Sequence, residues 1–349
     1  METFWFLVVT VMFATYLVLD GFDFGTGIIY FYVARTEAER RVTLTAIGPV
    51  WNGNEVWLIA AGGLLFCAFP KVYAVGFSGF YLALILVLWL LMLRGLAIEL
   101  RSHVDHPLWR PIWDVTFTFA SLFLAIVFGV TLGNILHGVP LQADGYFFMP
   151  LWTTFLPDIE PGILNLHTGL NGILGATILS VHGANYIAMK TDGETYWRAC
   201  RFAKVGGWVL VLICLLNLWT LSSVHPIFGH HFSLQPVGYV IPVAALVAFG
   251  SMLYLRHKGR DVATFLASCL FILTGLGSLA WAYYPNLLLA STDPRNHLTI
   301  YNAAASPFGL GIGVIWFLIG FSLVITYTVY VYRAFWGKTT ISSMDEIHK

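Results

Sequence analysis

The sequence predicts an all-α, polytopic membrane protein, and three observations support this fold class. Hydrophobic residues make up 58% of the 349 residues and charged residues only 10%, whereas ordinary soluble domains carry roughly a quarter charged residues. The mean hydropathy is +0.77. Apolar runs of about 20 residues, the length of helix that crosses a hydrocarbon core of ~30 Å, recur along the whole chain. A single integral-membrane domain is therefore expected over residues 1–349.

Proline, glycine and clusters of charged residues divide the apolar sequence into about nine predicted transmembrane helices. The first begins after Met1-Glu2-Thr3, which lacks the positive charge of a secretory signal, so we expect it to remain as a membrane helix. The predicted spans are roughly 4–34, 44–68, 72–98, 113–136, 165–189, 205–223, 237–255, 262–284 and 306–332. They are expected to form two four-helix bundles and one peripheral helix. The first bundle covers about 1–137, the second bundle and last helix about 165–335, and a cytoplasmic tail 336–349.

The positively charged residues are distributed asymmetrically between the two sides. Because nine spans place the termini on opposite sides, fifteen of the eighteen Lys and Arg residues fall on the C-terminal side. The opposite side holds only Lys71 and Arg295. By the positive-inside rule, the C-terminus is expected in the cytoplasm and the N-terminus outside. The formal net charge of zero leaves no electrostatic footprint for nucleic-acid binding.

Three carboxylates lie well inside predicted spans, where a charge costs ~3 kcal/mol on insertion scales. Asp20 and Asp23 interrupt the first span, in the stretch LDGFDFGTG at residues 19–27. At ~1.5 Å per residue, Asp20 is expected roughly 24 Å from the outer surface, near the cytoplasmic edge. Glu55 is expected roughly 20 Å in from the cytoplasmic side, on the second span. Such residues usually face a cavity, a partner or a proton path, and their alternative role is a structural ion pair or helix cap.

Neighbouring polar and aromatic residues extend this pattern. On the second span, Trp51 and Asn52 lie three or four residues before Glu55 and are expected on the same helix face. Pro49 is expected to kink this span just before them. Near the end of the third span, Arg94 and Glu99 are candidates to pair with each other, with a carboxylate of the first span, or with the membrane surface. The sequence therefore predicts a proton path through Asp20, Asp23, Asn52 and Glu55, supported by Trp51, Arg94 and Glu99.

The residues alone leave two other membrane functions open. A glycine-interrupted helix with buried acids is also the pattern of ion sites in secondary transporters. His167 and His182, both in the fifth span, are compatible with a haem-binding quinone anchor. Fifteen residues of helix separate them by about 22 Å, so they cannot ligate one haem together, and we interpret them as hydrogen-bonded packing groups. The four cysteines form no CxxC pair, and no metal site is expected.

Three motifs in the first third of the chain carry a family resemblance. They are LDGFDFGTG at 19–27, GPVWNGNEVWLIAAGG at 48–63 and RGLAIELRS at 94–102. Together they resemble the smaller subunit, subunit II, of the cytochrome bd-type quinol oxidases. The expected span number and the overall length agree with that family along the whole chain.

The resemblance implies a terminal oxidase of a bacterial or archaeal cytoplasmic membrane, which passes electrons from a quinol to oxygen in the aerobic respiratory chain and forms water. It implies a haem-bearing subunit I as partner, holding haems b and d, and in some complexes small accessory subunits. Subunit II of this family ligates no haem, contributes no directly catalytic residue and is thought to supply part of a cytoplasmic proton path. Some members are also thought to bind a structural quinone.

One position departs from the family pattern. The family commonly has WDGN in the second motif, whereas this sequence has Asn52 in place of the aspartate. An amide cannot release a proton at physiological pH, so Asn52 cannot act as a proton carrier. We expect the path to run through Glu55, with Asn52 orienting a water molecule; the alternative is that protons travel through subunit I.

Overall fold

The computed structural model describes residues 1–154, 162–224 and 227–340. Within these residues the chain forms twelve α-helices and one two-stranded antiparallel sheet. The helices are α1 (Glu2–Val33), α2 (Glu37–Ile47), α3 (Trp51–Ala68), α4 (Pro70–Gly79), α5 (Tyr81–Leu100), α6 (Trp109–His137), α7 (Leu166–Lys190), α8 (Gly193–Val224), α9 (Ile227–Leu234), α10 (Val240–His257), α11 (Asp261–Tyr283) and α12 (Pro307–Ala334). The strands are β1 (Asn286–Leu288) and β2 (Leu298–Thr299). The predicted tail beyond residue 340 lies outside the described residues.

Eight of the described helices are long and apolar enough to cross a membrane, namely α1, α5, α6, α7, α8, α10, α11 and α12. The prediction of an all-α, multi-pass membrane fold is confirmed. Helix α3 corresponds to the predicted second span, and its 18 residues extend ~27 Å. Its polar first turns lower its hydropathy, so it is not among the eight. The count of nine spans and the two-bundle arrangement stay predictions.

Two predicted spans are each divided into two helices. The span at 44–68 comprises the end of α2 and all of α3, with residues 48–50 in a turn that contains Pro49. A proline lacks the N–H that a continuous helix needs, which explains the break. The span at 72–98 was wrong as one helix, because α4 ends at Gly79 and α5 begins at Tyr81. A Cβ at Gly79 would lie 1.9 Å from the ring of Phe147, so the segment between α6 and α7 packs against the chain at this break.

The centre of the molecule is a close crossing of α1 and α7. A Cβ on Gly25 would lie 1.8 Å from the carbonyl oxygen of Leu179, and one on Gly183 would lie 2.4 Å from the carbonyl carbon of Gly25. Helix α6 approaches α7 in the same way, since a Cβ on Gly129 would lie 2.3 Å from a backbone oxygen. Small residues allow membrane helices to pack backbone to backbone. As a result, every residue from 20 to 27 is buried.

The last helix runs from the end of the bundle that holds Trp5 to the end that holds Lys190. Near the N-terminus, the Trp5 indole donates to the backbone oxygen of Leu310 at 3.2 Å. At the other end of α12, Lys190 donates to the backbone oxygen of Phe335 at 2.7 Å. The end of the bundle near Trp5 is covered by the segments that precede α7 and α12, and the second of these contains β1 and β2. Both segments pack with the start of α1 in one apolar cluster.

Candidate functional site

Charged and amide side chains from helices α1, α3 and α5 meet inside the membrane-spanning region. We name this group the carboxylate cluster, and its members are Asp20, Asp23, Asn54, Glu55 and Arg94. Arg94 donates to Asp20 through both terminal nitrogens, at 2.5 Å to Oδ1 and 3.2 Å to Oδ2. One of these nitrogens also donates to Oε2 of Glu55 at 3.1 Å. A single guanidinium therefore joins a carboxylate on α1 to one on α3.

Asp23 lies one helical turn beyond Asp20 and has a different partner. Its Oδ2 accepts a hydrogen bond from Nδ2 of Asn54 at 2.8 Å. The same amide nitrogen donates to the backbone oxygen of Leu19 at 3.1 Å. The amide oxygen of Asn54, Oδ1, accepts a hydrogen bond from the hydroxyl of Tyr332 at 2.9 Å. The second oxygen of Asp23, Oδ1, is buried and has no hydrogen-bond partner among the described residues. Asn54 thus connects the first, third and last helices around one carboxylate.

The cluster is sealed from the surroundings except at one residue. Asp20, Asp23 and Arg94 are fully buried, whereas the side chain of Glu55 is 24% exposed. The ring of Phe24 covers the guanidinium, with its centroid 4.4 Å from the Arg94 Cζ. Glu55 is therefore the member of the cluster that is accessible at the surface of this chain.

The charges of the cluster do not balance. Three carboxylates accompany one guanidinium, so full ionisation would give a formal charge of −2. Holding a net charge away from water is costly, and uptake of protons or pairing with a partner's positive charge would lower this cost. The arrangement is thus chemically suited to binding and releasing protons.

The predicted site residues separate into members and non-members of this cluster. Arg94 pairs with Asp20 and Glu55, and Glu99 is exposed outside the cluster. Five residues of α-helix turn the chain through about 140°, which directs Glu99 away from the Arg94 partners. Trp51 is buried, and its ring would lie 3.3 Å from a Cβ on Gly95.

The amide that contacts the buried acids is Asn54, whereas Asn52 is exposed on α3. The two positions differ by about 200° around the helix, so only one can face α1. Helical spacing relative to Glu55 favoured Asn52, because positions three apart are neighbours on a helix. Tyr332 was also missed, since nothing in the local sequence of the last span marks it for contact with Asn54.

A second polar group lies at the end of the bundle that carries most of the positive charge. We name it the Asp114 cluster, and its members are Tyr30, Glu37, Arg40, Arg101 and Asp114. Asp114 is buried and accepts from Arg101 at 2.6 and 3.2 Å, from Arg40 at 3.0 Å and from the Tyr30 hydroxyl at 2.9 Å. Arg101 also donates to both oxygens of Glu37, at 3.0 and 2.9 Å. The cluster fastens α1, α2 and α6 to the end of α5.

The sequence contained a signal for this cluster that hydropathy reasoning left unused, namely the acidic residue Asp114 just inside the fourth predicted span. Partial burial disfavours ionisation of Glu37, but its hydrogen bonds and ion pair with Arg101 outweigh this and lower its pKa. A surface cavity of about 420 Å³ borders the cluster and is lined in part by Glu37 and Arg40.

A third charged contact holds the turn between α1 and α2. Arg198 of α8 pairs with the carboxylate of Glu39 and donates to the backbone oxygen of Val33 at 2.8 Å. The backbone N–H groups of Arg35 and Thr36 donate to the same carboxylate, at 2.8 and 2.9 Å. Burial opposes ionisation of Glu39, but the hydrogen bonds from Arg198, Thr36 and Arg35 outweigh this effect and lower its pKa to about 2.

Comparisons with known proteins give the family. Residues 1–335 match the family described as cytochrome bd terminal oxidase subunit II. The chain belongs to this family.

Curated relatives agree over nearly the full chain. The chain is 30% identical to cytochrome bd-I ubiquinol oxidase subunit 2 of Escherichia coli K12, covering 98% of this chain and 96% of that protein. It is 31% identical to cytochrome bd ubiquinol oxidase subunit 2 of Bacillus subtilis 168, covering 88% and 87% respectively. Among solved structures, a chain of the bd oxidase from Geobacillus thermodenitrificans has a TM-score of 0.73 at 19% identity, covering 96% of this chain and 98% of that one, which supports the fold.

Membership in the cytochrome bd terminal oxidase subunit II family decides between the functions that the residues left open. The chain is a component of a terminal oxidase, in the membrane of a bacterial respiratory system. The family resemblance drawn from the three sequence motifs is confirmed. The transporter and quinone-anchor interpretations are set aside by the same matches.

The oxidase family implies haems, and histidine is a common haem ligand, so the surroundings of the two intramembrane histidines matter. Nδ1 of His182 lies 2.7 Å from the Ser268 hydroxyl, and its Nε2 lies 2.9 Å from the backbone oxygen of Val18. The ring also stacks on Phe265 at 5.0 Å between centroids. Both nitrogens are thus engaged within this chain, and the site does not fit a haem iron.

His167 is engaged in the same manner on the other half of α7. The Asn171 amide donates to its Nε2 at 3.2 Å, and its Nδ1 lies 3.1 Å from the Thr220 hydroxyl. Both histidines are therefore hydrogen-bonded inside the helix bundle, as expected of packing groups. Over the described part of the chain, no three His, Cys, Asp or Glu residues are grouped to hold a metal ion.

Proposed function

We propose that this chain supports the haem-bearing subunit I of a quinol-oxidising, oxygen-reducing complex and supplies part of its cytoplasmic proton path. The observation that carries the proposal is the carboxylate cluster, which is buried except at Glu55. The curated relatives are named as ubiquinol oxidase subunits, which supports a quinol as the electron donor. The haems of the partner supply the electron transfer and oxygen chemistry, and this chain handles protons.

Reduction of one oxygen molecule to two waters consumes four electrons and four protons. Two quinols supply the electrons, and the protons for water must be delivered to the partner through a dry region. A path through Asp23, Asp20 and Glu55 places one carboxylate per helical turn on α1 and a third on α3, with Arg94 between the last two. A proton arriving at Asp20 or Glu55 lowers the net negative charge beside Arg94, so protonated states are accessible without a large electrostatic penalty.

Unpartnered polar atoms extend the path toward the charged end of the bundle. Oδ1 of Asp23 and the hydroxyl of Thr26, one turn further along α1, are both buried without hydrogen-bond partners among the described residues. Buried polar groups of this kind usually bind ordered water. Water at these positions would carry protons toward Asp23 from the side that holds Asp114. Asn52, exposed on α3 near Glu55, is proposed to hydrogen-bond water or the partner.

The same proposal includes the orientation of the chain in the membrane and the assignment of all haems to the partner subunit. The cytoplasmic side is assigned to the end that carries the Arg-rich loops, with the C-terminus inside and the N-terminus outside. Support for a subunit without haem ligation comes from the occupied ring nitrogens of His167 and His182. A structural quinone in this subunit, contacts with lipid and small accessory subunits belong to the proposal as family features.

The variant Glu55→Gln tests the path in the purified complex reconstituted in vesicles. Glutamine keeps the shape and removes the exchangeable proton, so we expect quinol-driven oxygen consumption and proton uptake to fall together. Glu194→Gln, which alters a carboxylate that is 76% exposed, is the matched control. Unchanged oxygen consumption and proton uptake in Glu55→Gln would refute the path.

Asp20→Asn separates a proton-carrying role from a structural one. If the variant complex assembles with normal haem content but takes up protons slowly, Asp20 carries protons. If it fails to assemble, Asp20 serves Arg94 as a structural counter-ion, and the path must begin elsewhere.

A further inference from the structure

The ends of α8 and α10 at the Arg-rich side form a seam with an excess of positive charge. We define the α8–α10 seam by the cations on these two helix ends and on the following turn, which are Arg201, Lys204, Arg256, Lys258 and Arg260. Arg256 is the member with an ion pair, to Asp261 at 2.6 Å. Within the described residues, the other four cations are exposed and form no ion pair. Five cations and one carboxylate leave the seam with a formal charge of +4.

The two helices are in direct contact where these cations lie. A Cβ on Gly207 would lie 2.6 Å from the side chain of Leu253, so α8 and α10 approach closely one turn from Lys204. Nearer the ends, the Arg256 guanidinium lies 3.1 Å from the Cys200 sulfur. Since the helices run antiparallel, the cations of α8 and those that end α10 occupy the same level of the bundle.

Arg201 and Lys204 are three residues apart and therefore share one face of α8, where the Cβ atoms of such a pair lie about 5–6 Å apart. Lys258 follows the last residue of α10, and its ammonium lies 5.6 Å from the ring of Tyr254. The buried guanidinium of Arg256 retains two nitrogens, Nε and Nη2, without partners among the described residues. The seam thus offers many donors for an anion and few acceptors.

Apolar and aromatic side chains flank the seam on its membrane side. Val205 is 59% exposed, Trp208 66%, Tyr254 61% and Val262 42%. Tyrosine and tryptophan in such positions contact the boundary between headgroups and acyl chains. A ligand with an anionic head and apolar tails would match both parts of this surface.

We propose that the α8–α10 seam binds an anionic phospholipid. Its phosphate lies among Arg201, Lys204 and Lys258, and its acyl chains cover Trp208 and Tyr254. Charge complementarity supports this occupant, because basic groups between membrane helices are suited to anionic headgroups. An acidic protein segment would satisfy the cations but would leave the exposed aromatic flank without a partner. The neighbouring Glu194 is directed to Arg198 and does not neutralise the seam.

The test uses the purified oxidase complex in phosphatidylcholine nanodiscs titrated with phosphatidylglycerol, with bound lipid counted by native mass spectrometry. The triple variant Arg201→Gln/Lys204→Gln/Lys258→Gln removes three of the cations. Loss of one cation near a membrane surface lowers the affinity for anionic lipid about fivefold. We therefore expect the triple variant to bind phosphatidylglycerol about 100-fold more weakly than the unaltered complex.

The matched control is Arg41→Gln/Arg333→Gln, which removes two exposed cations that are not ion-paired within the described residues and lie outside the seam. Its lipid binding should equal that of the unaltered complex. Equal retention of phosphatidylglycerol by the triple variant would overturn the proposal. So would a photo-crosslinker at position 204 that captures a polypeptide of the complex and no lipid.

Discussion

Replacing Gly25 with alanine tests the helix crossing that encloses the carboxylate cluster. The added Cβ would start 1.8 Å from the carbonyl oxygen of Leu179, 2.7 Å from its carbonyl carbon and 2.8 Å from the backbone nitrogen of Gly183. All three neighbours are backbone atoms, so a side-chain rotation cannot relieve the contact. To reach an ordinary contact of 3.4 Å, the α1 and α7 backbones must separate by about 1.6 Å.

The expected cost follows from this displacement. Overpacking a close-packed interior costs typically 1–3 kcal/mol, and an unyielding backbone contact places this variant near ~3 kcal/mol. Alanine also gains ~1 kcal/mol over glycine within a helix, which offsets part of the loss. We therefore expect Gly25→Ala to lower the free energy of unfolding by about 2 kcal/mol.

Unfolding by sodium dodecyl sulfate in mixed micelles, followed by tryptophan fluorescence of the complex, measures this difference. Gly250→Ala in α10 is the control, because a Cβ there meets no atom within 4 Å. It should be neutral or slightly stabilising. Equal unfolding free energies for Gly25→Ala and Gly250→Ala would show that the α1–α7 contact is not as close as the structure has it.

Three further variants test the polar contacts. Asp114→Asn removes the buried negative charge to which Arg40 and Arg101 donate, so the assembled complex should lose about 3 kcal/mol or more of stability, measured by thermal unfolding. An unchanged unfolding midpoint would show that these hydrogen bonds do not hold the helices together. Because the pKa of Glu39 is lowered to about 2, its pair with Arg198 should stabilise the fold fully above about pH 4.5 and lose that effect as the pH falls toward 2. In Glu39→Gln the free energy of unfolding should therefore fall less steeply between about pH 4.5 and pH 2 than in the unaltered chain. An equal fall in both proteins would refute this. Asn54→Ala removes the donor to Asp23 and should slow proton uptake with haem content unchanged; normal uptake would exclude a role for this amide.

The sequence predicted the membrane class and most helices because both depend on local composition. Helix α1 was expected at 4–34 and runs Glu2–Val33, and α12 was expected at 306–332 and runs Pro307–Ala334. Length and hydropathy suffice for such spans. The division between α4 and α5 was not predicted, and the residue packed against it, Phe147, is distant in sequence from Gly79.

The cost of charge in a membrane singled out Asp20 and Glu55, and Arg94 was a candidate partner near the end of its span. The structure brings these three side chains together, whereas their role in a proton path stays a prediction. The contact of Asn54 with Asp23 was not predicted, because it depends on the rotation of α3 about its axis. That rotation is set by packing against α1 and α12, and the polar residues in the first turns of α3 do not reveal it because they lie on more than one face of the helix.

Because the chain is synthesised from its N-terminus, the contacts of the carboxylate cluster can form at different times. Arg94 follows Asp20 by 74 residues, so at ~5–20 residues per second the first ion pair becomes available roughly 4 to 15 s after Asp20 has been made. Tyr332 follows Asn54 by 278 residues and arrives roughly 15 to 55 s after it. The ion pair of Arg94 with Asp20 thus becomes possible early in biosynthesis, whereas Asn54 gains its tyrosine partner only with the last helix. A chain truncated before α12 would insert with its ion pair intact and with Asn54 lacking its tyrosine donor.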